Sequence, residues 1–266
     1  GFRHVSPSRA GMALFLEHMM FKGTAKRSAL DITYELGSLG AQANAYTSEE
    51  NTVYYLAVLP EFFSAALDLL CDMLRPALDV TEFSVEKNVI LEEIAQYQDR
   101  PTHVLFERAL REYFGKHPAG NSVLGSIDSI TALSAEQMRA YFDSRYTASN
   151  IVLVASGNFD WARLIEETAR HTAAWPASRV ERQLVQPQAS PANLTLKKDD
   201  LQMAQLMLIG SGPSAHEESR YASHCLTSIL GDSSGSRVFW ELIDKGLVDS
   251  ASIDNDEMDG TGMIYG

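Results

Sequence analysis

The chain has 266 residues, of which 45% are hydrophobic and 21% charged, which excludes a disordered tail or a disulfide-stapled miniprotein. Its 22 basic and 35 acidic residues give a formal net charge of −13, which argues against nucleic acid and anionic lipid surfaces as partners. No run of ~20 apolar residues predicts a membrane span. We therefore expect a soluble globular protein. Its two cysteines lie in apolar helical patterns, which predicts two buried thiols rather than a disulfide.

The first half of the chain alternates helical periodicity with one stretch of strand periodicity. Helical spacing of apolar residues predicts helices over residues 8–21, 28–39, 61–74, 81–97 and 101–114. Between the second and third of these, residues 41–60 contain two β-rich runs around a polar turn, which predicts a hairpin.

The second half repeats this kind of order. Helices are predicted over residues 134–144, 160–173, 217–230 and 236–244, and strands over 150–156, 194–197, 205–209, 250–253 and 262–265. A proline-bearing stretch without periodicity, residues 175–191, is predicted to be a linker.

The repeated order of elements predicts an α+β fold. We expect a two-layer sandwich of a mixed, largely antiparallel sheet covered by helices, with two pseudo-duplicated parts at residues 1–146 and 147–266. The chain begins next to a helix and stops within a predicted strand. We therefore expect a fragment of a longer protein, with the second repeat truncated at its carboxyl end.

Three residues of the first helix suggest metal chemistry. Leu14 and His18 are four residues apart, so they share one helix face, and Glu17 lies beside them. This is the layout of the inverted zinc motif H-x-x-E-H, in which two histidines bind the metal and the glutamate acts as a base. By itself, a Glu-His pair on a helix has little predictive value.

The surrounding segments make the pattern specific. They include FLEHMMFKGT at 15–24, LGAQANAYTS at 39–48, EKNVILEEI at 86–94, and further blocks within 125–157 and 236–247. In this order they resemble the insulinase, pitrilysin and mitochondrial processing peptidase family of zinc endopeptidases. The resemblance implies a peptidase ancestry, zinc as cofactor and a peptide substrate. The sequence does not give the compartment, and we expect a soluble protein of the bacterial cytoplasm or periplasm.

Carried over residue by residue, the resemblance assigns roles to four side chains. His18 matches the second histidine ligand and Glu93 the glutamate ligand, while Glu17 matches the general base and Glu86 a carboxylate that orients the site. Glu92 is the competing choice for the glutamate ligand. Glu86 and Glu93 lie two helical turns apart on one face, which favours Glu93. Without the flanking segments, Glu86, Glu92 and Glu93 would be interpreted as a solvated acidic helix face.

Leu14 departs from the family pattern at a metal ligand. A leucine has no lone pair to donate, whereas catalytic zinc sites use three protein ligands and a water. His18 and Glu93 would therefore form a two-ligand site of low affinity. His4 is the only other histidine nearby in sequence that could replace the missing ligand.

The resemblance also implies a substrate strand and a partner. The strand residues Asn44, Ala45, Tyr46 and Thr47 resemble the edge to which an extended peptide adds by main-chain hydrogen bonds. In the family, a second half-domain or a homologous partner subunit closes a chamber around the substrate. Two hypotheses follow: a peptidase with absent or severely reduced activity, or a metal-free partner subunit or peptide-binding scaffold of a dimeric peptidase.

Overall fold

The computed structural model describes residues 7–180, 187, 191–199 and 201–266. They form two compact units, the first built from the described residues within 1–94 and 123–182, the second from those within 95–122 and 183–266. Helices and small antiparallel sheets make up both, as the predicted α+β class requires. The division of the sequence into pseudo-duplicated parts at residue 146 stays a prediction.

The first unit carries one β-hairpin and most of the helices. The strands are β1 (Gln42–Thr47) and β2 (Thr52–Ala57), paired antiparallel from Gln42 opposite Ala57 to Thr47 opposite Thr52. The helices are α1 (Met12–Met19), α2 (Ala29–Ser38), α3 (Phe63–Met73), α4 (Val80–Gln98), α6 (Ile127–Ala132), α7 (Ala135–Arg145) and α8 (Trp161–Thr172). The predicted hairpin is confirmed, and most predicted helices are confirmed to within a few residues.

Helix α1 is the most deeply buried element of this unit. Met12, Phe15, Leu16 and Met19 are at most 1% exposed, so the apolar face of the helix lies entirely in the core. The Phe15 ring stacks on Phe83 of α4 with ring centroids 4.6 Å apart. This packing fixes the position of α1 relative to α4, the two helices that carry the predicted metal site.

Two glycines set the start of α1. Gly11 precedes the helix with φ of 86°, and a Cβ there would lie 2.5 Å from the Leu124 carbonyl oxygen. Gly125, with φ of 78°, approaches the Ala10 carbonyl in the same way. Both positions need a left-handed backbone and no side chain, so the two chain segments can cross in backbone contact.

The second unit has a three-stranded antiparallel sheet in the order β3-β5-β4. Its strands are β3 (Ile209–Gly212), β4 (Asp254–Met258) and β5 (Thr261–Tyr265), and its helices are α5 (Pro101–Phe114) and α9 (Ser219–Gly231), with a π-helical turn at Phe239–Ile243. Leu110 and Phe114 of α5 pack with Met258 and Met263 of the sheet to form a small core.

Several sequence predictions are wrong in detail. The described residues 150–156 and 194–197 form no hydrogen-bonded strand, although both had been predicted as strands. The strand predicted at 205–209 begins at Ile209, and the one predicted at 250–253 begins four residues later. A strand requires a partner at its edge, and apolar periodicity does not show where that partner lies. The linker predicted at 175–191 has no helix or strand in its described residues, and residues 181–186 and 188–190 lie outside the description.

The cysteine prediction is half right. Both thiols are free and Cys71 is buried, but Cys225 is exposed because it lies on the outer side of α9. Among the described helices, none combines the length and apolar character that crossing a bilayer requires.

Candidate metal centre

His18 on α1 faces two carboxylates on α4. Its Nδ1 lies 2.9 Å from Glu86 Oε1, so the ring donates a hydrogen bond to the carboxylate. Its Nε2 lies 3.8 Å from Glu93 Oε2. Because Nδ1 is held by Glu86, Nε2 is the nitrogen left to accept a proton or a metal ion. Glu92 is exposed, and this geometry supports Glu93 as the residue paired with His18.

Lys22 completes this group, and the sequence interpretation missed it. Its Nζ lies 2.5 Å from Glu86 Oε2, on the side of the carboxylate away from His18. The sequence did contain a signal for this contact. Lys22 follows His18 by four residues, and at helical spacing both side chains lie on the same side as α1 ends. The nearly buried Glu86 side chain, 4% exposed, is thus neutralised by two basic groups.

The pKa values of this group move in opposite directions. Burial lowers the pKa of His18, but the hydrogen bond to Glu86 and the charges of Glu86, Glu93 and Glu17 more than offset it, so the net pKa is raised. Burial raises the pKa of Glu86, yet its bonds to His18 and Lys22 outweigh burial and lower the pKa overall. The site therefore favours the charged form of both partners.

Glu17 precedes His18 on α1 and contacts the hairpin. Its carboxylate accepts a hydrogen bond from the Thr47 hydroxyl of β1, with Thr47 Oγ1 2.5 Å from Glu17 Oε2. Burial raises the pKa of Glu17, and the Thr47 hydrogen bond and His18 oppose that rise. Thr47 was predicted to bind substrate, and in the structure its side chain holds Glu17.

The remaining predicted substrate residues lie on β1 as expected. Asn44 and Tyr46 are exposed, Ala45 is half-buried, and the three alternate across the strand. In the described residues β1 pairs only with β2, so no strand covers its other edge, although the Ala45 N–H donates to Asn44 Oδ1 at 2.9 Å. Such an edge can accept an extended peptide through main-chain hydrogen bonds.

Leu14 lies one turn before His18 and is half-buried like it. Two ligands bound ~2.0–2.1 Å from a tetrahedral zinc are roughly 3.3 Å apart, close to the 3.8 Å between His18 Nε2 and Glu93 Oε2. The third position carries a leucine, and no group of three or more His, Cys, Asp or Glu residues in the described ranges could hold a metal. The donor set therefore does not fit a complete catalytic zinc site. His4, the alternative ligand, lies outside the described residues.

Comparison with known proteins identifies the family. Residues 1–127 match the family model described as insulinase (peptidase family M16), and residues 132–265 match the one described as peptidase M16 inactive domain. The chain belongs to the M16 peptidase family. The predicted resemblance is thereby confirmed, and with it the relationship to zinc proteases.

Relatives of this M16 chain are bacterial proteins described as uncharacterized zinc proteases. YmxG of Bacillus subtilis is 34% identical over 270 residues, which cover 100% of this chain and 66% of YmxG. SCO5738 of Streptomyces coelicolor is 34% identical over 256 residues, which cover 92% of this chain and 55% of that protein. The M16 chain thus spans about 55–66% of the length of these relatives.

Solved structures confirm the fold. A protease from Helicobacter pylori superposes with a TM-score of 0.91 at 22% identity, over 100% of this chain and 66% of that one. A peptidase M16 inactive domain from Pseudomonas fluorescens gives a TM-score of 0.84 at 20% identity, over 98% and 65%. The helices and antiparallel sheets of this M16 chain therefore follow a known architecture.

Proposed function

We propose that this chain is the amino-terminal, peptidase-type half of an M16 zinc endopeptidase acting on peptides, with activity absent or severely reduced. The observation that carries the proposal is Leu14, which stands beside an otherwise assembled group of His18, Glu93, Glu86 and Glu17. Such assembly supports a peptidase ancestry. The leucine supports loss of affinity for the metal.

The residues present have separable roles in this proposal. Glu86 orients His18 and keeps Nε2 free, and Lys22 balances the charge of Glu86. Thr47 fixes the carboxylate of Glu17 against β1. The edge of β1 away from β2 binds an extended peptide beside Glu17.

A second candidate function is a metal-free partner subunit or peptide-binding scaffold within a dimeric peptidase. The ion pair between Lys22 and Glu86 favours it, because this contact balances the charge of the buried carboxylate without a metal. The edge of β1 away from β2 serves this function equally well. In either function, a second half-domain or a homologous partner subunit supplies the rest of the substrate site.

Zinc titration tests the role of Leu14. Leu14→His should rebuild a three-ligand site with His18 and Glu93. Since loss of one outer partner already costs ~10–100-fold in affinity, we expect a gain of more than ~100-fold over the unmodified chain. Leu30→His is the matched control, because Leu30 is 77% exposed on α2 and remote from the other ligands in sequence. Equal zinc affinity of the unmodified chain and Leu14→His would contradict the proposal.

Peptide cleavage tests the need for a partner. We expect Leu14→His to cleave an unstructured peptide feebly alone, and faster by orders of magnitude once the second half or an intact partner subunit is added. Positioning of substrate can contribute ~7–11 kcal/mol to lowering a barrier. Glu17→Gln in the same background is the negative control, because it removes the carboxylate assigned as the general base. Robust, chelator-sensitive cleavage by the unmodified chain alone would contradict both the ligand and the partner assignments.

A further inference from the structure

Glu17 lies at one end of a chain of hydroxyl groups in the first unit. Its carboxylate accepts a hydrogen bond from Thr47 at the end of β1, and Thr47 Oγ1 lies 3.2 Å from Thr52 Oγ1 at the start of β2. The two threonines face each other as the last pair of the hairpin. Thr52 in turn is hydrogen-bonded to the Tyr146 hydroxyl, and Tyr146 Oη lies 2.8 Å from Tyr54 Oη. Four hydroxyls therefore connect in series to one carboxylate.

The direction of every hydrogen bond in this chain follows from the carboxylate. An ionised carboxylate only accepts hydrogen bonds, whereas a neutral hydroxyl has one proton to donate. Because Thr47 gives its proton to Glu17, it must accept from Thr52. Thr52 has then used its own proton and accepts from Tyr146, and Tyr146 likewise accepts from Tyr54. All four protons point toward Glu17, and hydrogen bonds aligned in this way strengthen one another.

The pKa values of the two tyrosines agree with this direction. Burial raises the pKa of both hydroxyls, so both are neutral and carry the proton that the chain requires. The hydrogen bond between them adds to the rise in pKa for Tyr54 and opposes it for Tyr146. Donating a hydrogen bond holds a hydroxyl in its neutral form, whereas accepting one favours its charged form. Tyr54 is therefore the donor and Tyr146 the acceptor.

The tyrosine in the middle of the chain is held independently of its hydroxyl. Tyr146 follows the last residue of α7, and its carbonyl oxygen accepts a hydrogen bond from Arg75 Nη1 at 2.9 Å. The Arg75 guanidinium lies 4.0 Å from the centroid of the Trp175 ring. The Tyr146 ring stacks on Phe142 with ring centroids 5.1 Å apart. Removal of the Tyr146 hydroxyl alone would therefore leave the ring and the backbone in place.

We propose that Thr52, Tyr146 and Tyr54 are positioning residues, whose hydroxyls hold the Glu17 carboxylate in one orientation through Thr47. This inference rests on the role of general base proposed for Glu17. A carboxylate bonded to a single threonine could turn with it, because the threonine side chain has three staggered rotamers. Thr52 fixes the Thr47 hydroxyl, and the tyrosines fix Thr52. Removing the Tyr146 hydroxyl should therefore disturb Glu17, although two other hydroxyls lie between them.

The carboxyl carbon of Glu17 reports on this effect directly. In protein labelled with ¹³C at the glutamate carboxyl carbons, the Glu17 signal is identified by its loss in Glu17→Gln. At about pH 8 and in chelator, where carboxylates are ionised, we expect this signal to be displaced in Tyr146→Phe and in Thr52→Val. Thr52→Ser keeps the hydroxyl and should restore the signal. Tyr141→Phe is the matched control, because Tyr141 is a tyrosine of α7 near Tyr146 that belongs to none of these hydrogen bonds. An unmoved Glu17 signal in Tyr146→Phe would overturn the proposal.

Stability measurements test whether the hydroxyls act as one chain. Thr47→Val and Tyr146→Phe are made singly and together, and urea unfolding in chelator gives the unfolding equilibrium constant of each variant. We expect the double variant to be less destabilised, by at least ~3-fold in this constant, than the product of the two single effects. Single effects that simply multiply would show independent hydroxyls and overturn the proposal. Neither measurement uses zinc or a peptide, so its outcome is separate from that of the zinc titration of Leu14→His.

Discussion

The two units of the molecule each contain a histidine–glutamate pair at nearly the same distance. In the first unit His18 lies 2.9 Å from Glu86, and in the second His224 lies 2.7 Å from Glu257. Their burial differs: the side chains of the first pair are 24% and 4% exposed, those of the second 55% and 17%. Solvent weakens the second attraction much more than the first. The distance alone therefore does not show which pair contributes more to stability.

The surroundings of the two pairs differ as well. Glu86 is shared between His18 and Lys22, while Glu257 accepts from His224 and from the neutral amide of Asn255. A buried carboxylate between two basic groups depends on both of them, whereas a partly solvated one can turn to water. We therefore expect changes in the first unit to have larger effects than equivalent changes in the second.

The largest expected effect comes from removing the buried charge. Glu86→Gln should lower the free energy of unfolding by about 3 kcal/mol, the low end for breaking a buried pair, because His18 and Lys22 are partly exposed. Glu257→Gln is the matched change in the second unit and should cost less than about 1 kcal/mol. Urea unfolding of both variants in the presence of chelator measures the difference. Similar losses would show that burial does not separate the two pairs.

A smaller effect is expected from the hydroxyl that holds Glu17. Thr47→Val keeps the side-chain shape but leaves the 7% exposed Glu17 without this hydrogen bond, which should cost about 1.5 kcal/mol. Ser223→Ala in the second unit removes a buried hydroxyl whose partner, Asn255, is neutral, and should cost about 1 kcal/mol or less. Thr47→Ser retains the hydroxyl and should recover most of the loss. If Thr47→Ser were as unstable as Thr47→Val, the hydrogen bond would not be the cause.

The smallest effect concerns pH. The pKa of His18 is raised in the folded state by Glu86 and its neighbours, so His18 stabilises the fold below about pH 6.5 and loses this contribution as pH rises through the folded pKa. The unfolding free energy of the unmodified chain minus that of His18→Gln should therefore be larger at pH 6 than at pH 9. We expect this change to be smaller than the two effects above, with its sign set by the raised pKa of His18. A difference that grew with pH would contradict the raised pKa.

Local patterns were sufficient for most helices and for the hairpin, but they missed α6, and the helix predicted at 236–244 is a π-helical turn at Phe239–Ile243. Helix α5 runs from Pro101 to Phe114 as predicted, because a proline at the first helical position and a glycine after the last mark both ends. The strand at 150–156 failed for a different reason. Strand structure is a property of pairs, and its partner is not among the described neighbours of that segment.

For the site, the resemblance brought together residues that local patterns could not. His18 and Glu86 are 68 positions apart, and only similarity to a family linked them before the structure did. The contacts of Thr47 with Glu17 and of Lys22 with Glu86 depend on how α1 packs against β1 and α4. Periodicity does not predict packing of that kind, so both contacts were missed.

The backbone crossing at Gly11 and Gly125 ties the assembly of the site to the order of synthesis. The two glycines are 125 − 11 = 114 residues apart, yet each touches the segment of the other, and Ser129 donates to the Ala10 carbonyl. At ~5–20 residues per second, a ribosome needs on the order of ten seconds to deliver the second segment after the first. During that interval α1, which carries His18, lacks the chain segment that contacts its amino-terminal end. Until then Met12, Phe15 and Leu16, which are fully buried in the folded protein, have no complete core to pack into, so the nascent chain carries an exposed apolar stretch here.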